Sequence, residues 1–206
     1  MRAYYEAFWA DQPTDPEPWA WTKRRALLLA EAKAGDNVLD LGCGAGRFAR
    51  ALQDHGAHPI GVEIADAALQ RSRANAPGAD LRLMDPDGAL PLEDGSIDLV
   101  WCSEVLEHVA DTAHTLSEIR RVLHTGGRLL LTTPYHGRVR NTAIALARFE
   151  RHFDPLGQHL RFYTRRSLRA TLEEFAFDDI RIDTFGGPPL LRQALVGLAT
   201  RASLIR

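Results

Sequence analysis

The stretch Val38-Leu-Asp-Leu-Gly-Cys-Gly-Ala-Gly46 decides the fold of this chain. It begins as an apolar run of the buried-strand type, which glycines at three alternate positions then interrupt. Glycine permits backbone conformations with positive φ and lets a ligand approach the main chain closely. Because residues 47–55 resume a helical pattern, the loop would present the unpaired N–H groups of a helix N-terminus, which suit a carboxylate or a phosphate.

An acidic residue accompanies each of the first three predicted strands. Asp40 lies inside the first strand, Glu63 ends the second, and Asp85 directly follows the third. In nucleotide-binding α/β folds, an acid at the end of the second strand accepts hydrogen bonds from both ribose hydroxyls, because its two oxygens match two donors. Each acid also has a structural interpretation, as a helix cap, a solvated strand end or a turn former. All three acids around one glycine loop favour a ligand site.

The rest of the chain alternates between strand and helix patterns. Later strands are predicted at residues 59–63, 80–84, 96–102, 128–133, 179–184 and 194–200. Strands separated by helices imply parallel βαβ units, so we expect an α/β, Rossmann-like, doubly wound sheet with helices on both faces. Residues 1–34 are predicted to form an N-terminal arm and helix. Residues 35–206 form one domain with an insertion at about 135–163.

The composition narrows the class of protein. A formal charge of −2 gives no strong nucleic-acid signal, and 45% hydrophobic with 25% charged residues is ordinary for a globular protein. We expect no transmembrane segment, because no run of 18 apolar residues occurs, and the start of the chain does not resemble a signal peptide. Two cysteines imply no disulfide framework, so a cytoplasmic location is expected.

The motifs together resemble class I S-adenosylmethionine-dependent methyltransferases, over roughly residues 35–200. The resemblance rests on VLDLGCGAGRFA (38–49), GVEIAD (61–66), LPLEDGSIDLVWCSEVLEHV (90–109) and IRRVLHTGGRLLLTTP (119–134), and it is closest to the ubiquinone-biosynthesis O-methyltransferase branch. It implies a methyltransferase domain whose seven-stranded sheet is mostly parallel, with an antiparallel last strand.

The resemblance also implies roles for individual residues. Asp40, Gly42 and Gly44 would line the methionine moiety of S-adenosylmethionine, and Glu63 would hold the ribose. Cys102 and Ser103 would pass beneath the cofactor, and Asp85 would lie near the adenine. Because Asp85-Pro-Asp-Gly-Ala89 is one residue longer than the usual turn, Asp87 is an alternative to Asp85. Cys43 and Ile64 belong to the same predicted cofactor site.

The turn Ser103-Glu-Val-Leu-Glu-His108 carries the candidate catalytic and metal-binding groups. Glu104, Glu107 and His108 share one face if the turn is helical, and His159 is a further candidate ligand for a divalent cation. This arrangement is similar to small-RNA 3′-terminal 2′-O-methyltransferases, which use a metal to engage ribose hydroxyls. Without a metal, His108 is the candidate general base, since its unperturbed pKa suits neutral pH.

The expected function is O-methylation of a small molecule, with a phenolic or quinone-like acceptor. Metal-assisted 2′-O-methylation of a terminal ribose or a sugar is the alternative. A nicotinamide-dependent (NAD-dependent) oxidoreductase is a rival of another class, although the G-x-G-x-G spacing and Asp40 speak against it. A non-catalytic cofactor-binding module is another rival. The chain is expected to be a monomer or a homodimer.

Three segments are open to two interpretations. The aromatic arm of residues 1–21 is either a lid or core filler, and the tail after Pro188 is either a last strand or a membrane-surface helix. The arginines between residues 138 and 169 form either a solvated face or a site for an anionic acceptor.

Overall fold

The computed structural model describes residues 2–13, 15–86, 88–147, 149–154 and 157–203, the side chain of residue 151 excepted. Its helices are α1 (Arg2–Ala10), α2 (Trp21–Glu31), α3 (Arg47–Asp54), α4 (Asp66–Asn75), α5 (Thr112–Val122), α6 (Arg138–Ala147), α7 (Phe149–His152) and α8 (Arg165–Glu174). Its strands are β1 (Asn37–Leu41), β2 (His58–Glu63), β3 (Asp80–Leu83), β4 (Ile97–Ser103), β5 (Leu123–Pro134), β6 (Phe177–Phe185) and β7 (Ala194–Arg201). A short 3₁₀ helix, Pro189–Leu191, precedes β7.

The strands form one seven-stranded sheet of order β3-β2-β1-β4-β5-β7-β6. Strand β7 runs antiparallel to β5 and β6. The other neighbouring strands, from β3 through β2, β1 and β4 to β5, pair in parallel. This architecture confirms the predicted fold class. Because β1 pairs with both β2 and β4, the strand order reverses direction at β1, and ligands bind at the carboxyl edge beside such a reversal.

The hydrophobic core has two layers, one on each face of the sheet. Alternate residues of a strand point to opposite faces, so Leu39 belongs to the layer that includes buried residues of α5 and α8, whereas Val38 belongs to the layer that includes those of α2 and α3. Trp101 of β4 is fully buried in the second layer. The two layers hold the central strands rigidly and so fix the edge at which their loops meet.

Some boundaries differ from the predicted ones. Strand β5 begins at Leu123 rather than 128, because Leu123 already pairs with Ile97 of β4. The register between the two strands then shifts, and regular pairing resumes where Arg128 pairs with Leu99. The tail forms strand β7, not a surface helix.

The predicted insertion contains α6 and α7 between β5 and α8. The division into an arm, a domain and an insertion stays a prediction. Within the described part of the chain, no helix has the length and apolar character needed to cross a bilayer.

Candidate active site

The glycine loop after β1 forms the floor of the site. Gly42 and Gly44 have positive φ angles of 70° and 53°. The Gly42 N–H donates to the Val62 carbonyl at 2.9 Å, which ties the loop to β2. A Cβ atom at Gly42 would lie 2.7 Å from the Val105 side chain, and one at Gly44 would lie 2.9 Å from the Trp9 ring. Both positions therefore require glycine, for backbone conformation and for close contact.

Glu63, at the end of β2, is tied to the same loop. Its Oε2 accepts a hydrogen bond from the Gly44 N–H at 3.0 Å, and its Oε1 accepts from Ile64 and Ala65 at 2.7 and 3.1 Å. Burial raises the pKa of Glu63, although these three N–H donors oppose the rise. A carboxylate has about four acceptor positions, so Oε2 keeps one for a ligand hydroxyl.

Asp40 lies behind the loop, only 2% exposed. Its Oδ2 has no hydrogen-bond partner among the residues that the structure describes. Burial raises the pKa of Asp40 to about 7, the nearby Glu63 adds to the rise, and the guanidinium of Arg24 opposes it. The charge of Asp40 therefore responds to any cation that enters the site near neutral pH.

Arg24 of α2 brings a buried cation to the end of β4, and the sequence analysis did not single it out. The residue is 5% exposed, and its Nε donates to the Ser103 hydroxyl at 2.9 Å. The Ser103 hydroxyl in turn lies 2.7 Å from that of Thr132. In the sequence, only the spacing of Arg24 one turn before Leu28 could have indicated a shared buried face, and this spacing is a weak indication.

Glu104 follows Ser103 and reaches the cavity described below. It has a positive φ of 56°, and its Oε1 lacks a hydrogen-bond partner within the described ranges. Burial raises the pKa of Glu104, and Arg24 and the Thr132 hydroxyl oppose the rise. Arg24 and Glu104 thus place opposite charges beside the glycine loop.

A cavity of about 290 Å³ opens at the carboxyl edge of the sheet. Helix α1 contributes Tyr5, Phe8 and Trp9 to its wall, so the N-terminal arm covers the site. Of the residues predicted from the sequence, those that line the cavity are Gly42, Glu63, Ile64, Glu104 and His108.

Hydrogen bonds hold α1 in this position. The Glu6 carboxylate accepts from the backbone N–H groups of Asp66 and Ala67, at the start of α4. Arg2 donates to the Met84 carbonyl at 2.8 Å and to Asp85 at 2.9 Å. Asp85 is consequently ion-paired outside the cavity, with its side chain 81% exposed. The alternative, Asp87, lies outside the described residues.

The two cysteines do not present their thiols to the cavity. Cys43 Sγ lies 3.9 Å from the Ser72 hydroxyl, and Cys102 is fully buried in the sheet. Burial raises the pKa of both thiols. Any contact of these residues with a ligand would therefore come from the backbone.

His108 also lines the cavity. Its Nδ1 lies 3.0 Å from the Gln158 carbonyl oxygen, so Nδ1 carries the proton and Nε2 keeps its lone pair. Burial lowers the pKa of His108, which keeps the imidazole neutral at pH 7. His108 Nε2 lies 3.8 Å from Glu107 Oε1. Burial, reinforced by Glu104, raises the pKa of Glu107 to about 8.

Three of the four predicted metal ligands lie together. Donor atoms of Glu107, His108 and His159 all fall within 4.8 Å of one another, and burial lowers the pKa of His159 to about 4. Neutral imidazoles and a carboxyl oxygen are suitable ligands for a divalent cation. Glu104 is not part of this cluster.

The chain matches, over residues 14–182, the family described as the methyltransferase domain. It is 38% identical over 117 residues to a probable S-adenosylmethionine-dependent methyltransferase of Mycolicibacterium smegmatis, covering 55% of this chain and 45% of that protein. It is 32% identical over 117 residues to the ubiquinone biosynthesis O-methyltransferase of Pseudomonas aeruginosa, covering 55% of this chain and 48% of that protein. The match thus spans about half the length of these curated relatives.

A solved structure shares the fold. The methyltransferase from a complex with the Haloferax volcanii Trm112 activator has a TM-score of 0.74 and 21% identity, over 96% of this chain and 97% of that chain.

Proposed function

Since the chain belongs to the class I S-adenosylmethionine-dependent methyltransferase family, we propose that it methylates a hydroxyl oxygen of a small phenolic or quinone-like acceptor. One observation carries the choice of oxygen. A single cavity has Glu63 at one position and the neutral imidazole of His108 at another. The first suits a ribose diol, and the second suits the removal of a hydroxyl proton.

The groups around the glycine loop fit the amino-acid end of the cofactor. The buried Arg24 guanidinium matches a carboxylate. Glu104 Oε1, without a hydrogen-bond partner in the part of the chain that the structure describes, matches an ammonium group. Asp40, with its pKa near 7, adds a carboxyl group that ionises when a cation is near. When bound, S-adenosylmethionine supplies a methyl group already activated by the positive sulfonium.

The protein's remaining tasks are to orient the acceptor and to accept its proton. The hydrogen bond from Nδ1 to the Gln158 carbonyl orients the His108 ring, so Nε2 is the atom that receives the hydroxyl proton. Glu107 Oε1 lies 3.8 Å from Nε2, and the imidazolium that results would favour the ionised form of this carboxyl, so Glu107 acts as a positioning residue. Apolar and aromatic groups of the cavity, among them Phe8 and Val109, suit an aromatic acceptor and exclude water.

The name of the P. aeruginosa relative supports an acceptor of this class. The test is incubation of the purified protein with tritium-labelled S-adenosylmethionine and a matched set of catechol, aniline and thiophenol acceptors. We expect label in the phenolic product and little in the amine or the thiol. Labelling of the amine or thiol alone, or of none of the set at any pH between 6 and 9, would refute O-methylation of a phenolic acceptor.

The cluster of Glu107, His108 and His159 favours a second candidate, metal-assisted 2′-O-methylation of a terminal ribose or a sugar. These residues would hold the cation, which would supply Lewis-acid polarisation of the acceptor hydroxyls. Glu107 Oε1, which has no hydrogen-bond partner among the described residues, supports this assignment. The two candidates differ in their response to chelators.

A further inference from the structure

The chain after α7 is tied to the turn that carries His108. The N–H groups of Leu160 and Arg161 donate to the Glu107 carbonyl at 2.7 and 3.2 Å. The Gln158 carbonyl oxygen lies 3.0 Å from His108 Nδ1, and because a carbonyl oxygen only accepts, this hydrogen bond places the ring proton on Nδ1. The bond that one ring nitrogen makes decides the state of the other. The position of the Gln158 carbonyl therefore sets the direction of the Nε2 lone pair.

The side chain of Gln158 connects this segment to α1. Its Nε2 donates a hydrogen bond to the hydroxyl of Tyr4, which is 154 residues away in the sequence. The Tyr4 ring also meets the Tyr5 ring edge-on, with centroids 5.3 Å apart, and the Tyr5 ring meets the His108 ring edge-on at 6.4 Å. Edge-to-face rings at such distances attract one another. Helix α1 therefore supports the His108 imidazole by two routes, through Gln158 and through Tyr5.

Hydrogen bonds to α4 fix the helix from which Tyr4 extends. Helix α1 has no buried residue of its own, so core packing is not what holds it. The Glu6 carboxylate accepts from two N–H groups at the start of α4. Arg71 of α4 donates in return to the Trp9 carbonyl and, at 3.0 Å, to the Gln12 carbonyl, near the end of α1. These reciprocal contacts give the Tyr4 hydroxyl a defined position beside the segment that follows α7.

We propose that Tyr4 and Gln158 are positioning residues for His108. The Tyr4 hydroxyl holds the Gln158 side chain, and the Gln158 carbonyl holds the imidazole through Nδ1. This inference rests on the proposed role of His108 as general base. Tyr4 lies outside the lining of the cavity, so it acts on turnover through its neighbours and not by touching the acceptor. A base whose lone pair points away from the acceptor hydroxyl loses rate even when both ligands are bound, because proton transfer requires alignment within hydrogen-bond reach.

A double-mutant cycle on the full chain tests this arrangement. Tyr4→Phe removes the hydroxyl and keeps the ring, and Gln158→Ala removes the side-chain amide and keeps the carbonyl. We expect each to lower kcat with the phenolic acceptor by about three- to tenfold, and Tyr4→Phe to change the Kd of S-adenosylhomocysteine by less than about twofold. The double variant should lose no more than the larger single loss, because both changes remove the same hydrogen bond. Gln70→Ala, exposed on α4, is the matched control for Gln158→Ala and should turn over as the wild type does.

The ¹⁵N chemical shifts of the His108 imidazole at pH 8 give a second measurement, which does not depend on methyl transfer. We expect the Nδ1–H tautomer in the wild type and a measurable fraction of Nε2–H in both single variants, each shown to be folded by circular dichroism. Additive losses in kcat would overturn the positioning role, and so would the wild-type tautomer kept unchanged in both variants. A wild type that methylates no acceptor but shows the expected tautomers, in itself and in the variants, would count against the proposed function and support this inference.

Discussion

The Nε of Arg24, on α2, donates a hydrogen bond to the Ser103 hydroxyl at the end of β4, across 2.9 Å. This contact joins two parts of the chain that are 79 residues apart. It places the positive guanidinium of Arg24 among acidic side chains. Burial lowers the pKa of the Arg24 guanidinium. The nearby carboxyls of Glu104, Glu107 and Asp40 oppose this fall. We therefore expect recognition of the cofactor's carboxylate to depend on Arg24.

Replacing Arg24 should weaken the binding only of ligands that carry the amino-acid end of S-adenosylmethionine. For Arg24→Met, we expect the Kd of S-adenosylhomocysteine to rise roughly 10- to 100-fold, because a charge-assisted hydrogen bond contributes about 1.5–3 kcal/mol. The Kd of methylthioadenosine, which lacks that end, should change by less than about threefold. Isothermal titration measures both ligands, and Arg25→Met, exposed on the same helix, is the control. Equal losses for the two ligands would remove Arg24 from carboxylate recognition.

Asp40 should make the ligand-free protein less stable as the pH rises. Its folded pKa of about 7 lies above its ordinary value of 3.8, so the folded state holds this proton more tightly than the unfolded chain. The resulting stability is present below pH 4 and is lost as the pH rises through 7. Asp40→Asn should therefore raise Tm by a few degrees, roughly, at pH 8 and by less at pH 5, where only part of this stability is lost.

The difference in Tm between wild type and Asp40→Asn isolates this group. The buried His136 and the half-buried His108 and His159 act in the opposite sense, because desolvation lowers their pKa values and favours the neutral form. They are common to both proteins and cancel. A Tm difference that does not grow between pH 5 and pH 8 would contradict a raised pKa for Asp40.

His108 should set the acid limb of the pH–rate profile. Burial lowers the pKa of His108 below 6.5, so kcat/KM should fall only as the pH drops beneath that value. His108→Asn should lose roughly 10²- to 10⁴-fold in kcat and should lose the acid limb as well. His124→Asn, at the exposed start of β5, is the control. Retention of the acid limb in His108→Asn would assign it to another group.

Chelation distinguishes the two candidate functions. If the cluster of Glu107, His108 and His159 holds a required cation, EDTA should abolish turnover, and His159→Ala should have the same effect. Added Mg²⁺, Mn²⁺ or Zn²⁺ should then restore the wild type but not the variant. Turnover that persists in EDTA would remove the metal and leave His108 as the base.

Local patterns were sufficient to predict the fold. The short apolar runs, the glycines after Leu41 and the helical stretches between strands are all sequence-local features, and they predicted a doubly wound α/β sheet. The family resemblance supplied the seven strands and the antiparallel last strand, as observed. Of the two interpretations of the tail, the last strand is confirmed by β7. The early start of β5 was missed, because the glycines near residue 126 indicated a break where the strand in fact continues.

The site was only partly predictable, for a physical reason. Glu63 and His108 stand at strand and turn ends, positions that the sequence pattern identifies, and both line the cavity. The role of Arg24 depends on a contact across 79 residues, which no local pattern records. The same holds for Asp85, whose ion pair with Arg2 is made by the packing of α1 over the edge of the sheet.

The most direct test is titration of S-adenosylhomocysteine into the wild type and Glu63→Gln, with Glu93→Gln, exposed in the loop before β4, as the control. Glu63 lines the cavity and keeps one acceptor position for a ribose hydroxyl, so we predict saturable one-site binding that is at least about tenfold weaker in Glu63→Gln. The control should bind as the wild type does. No binding to the wild type up to millimolar concentration, or the same affinity in Glu63→Gln, would contradict the account.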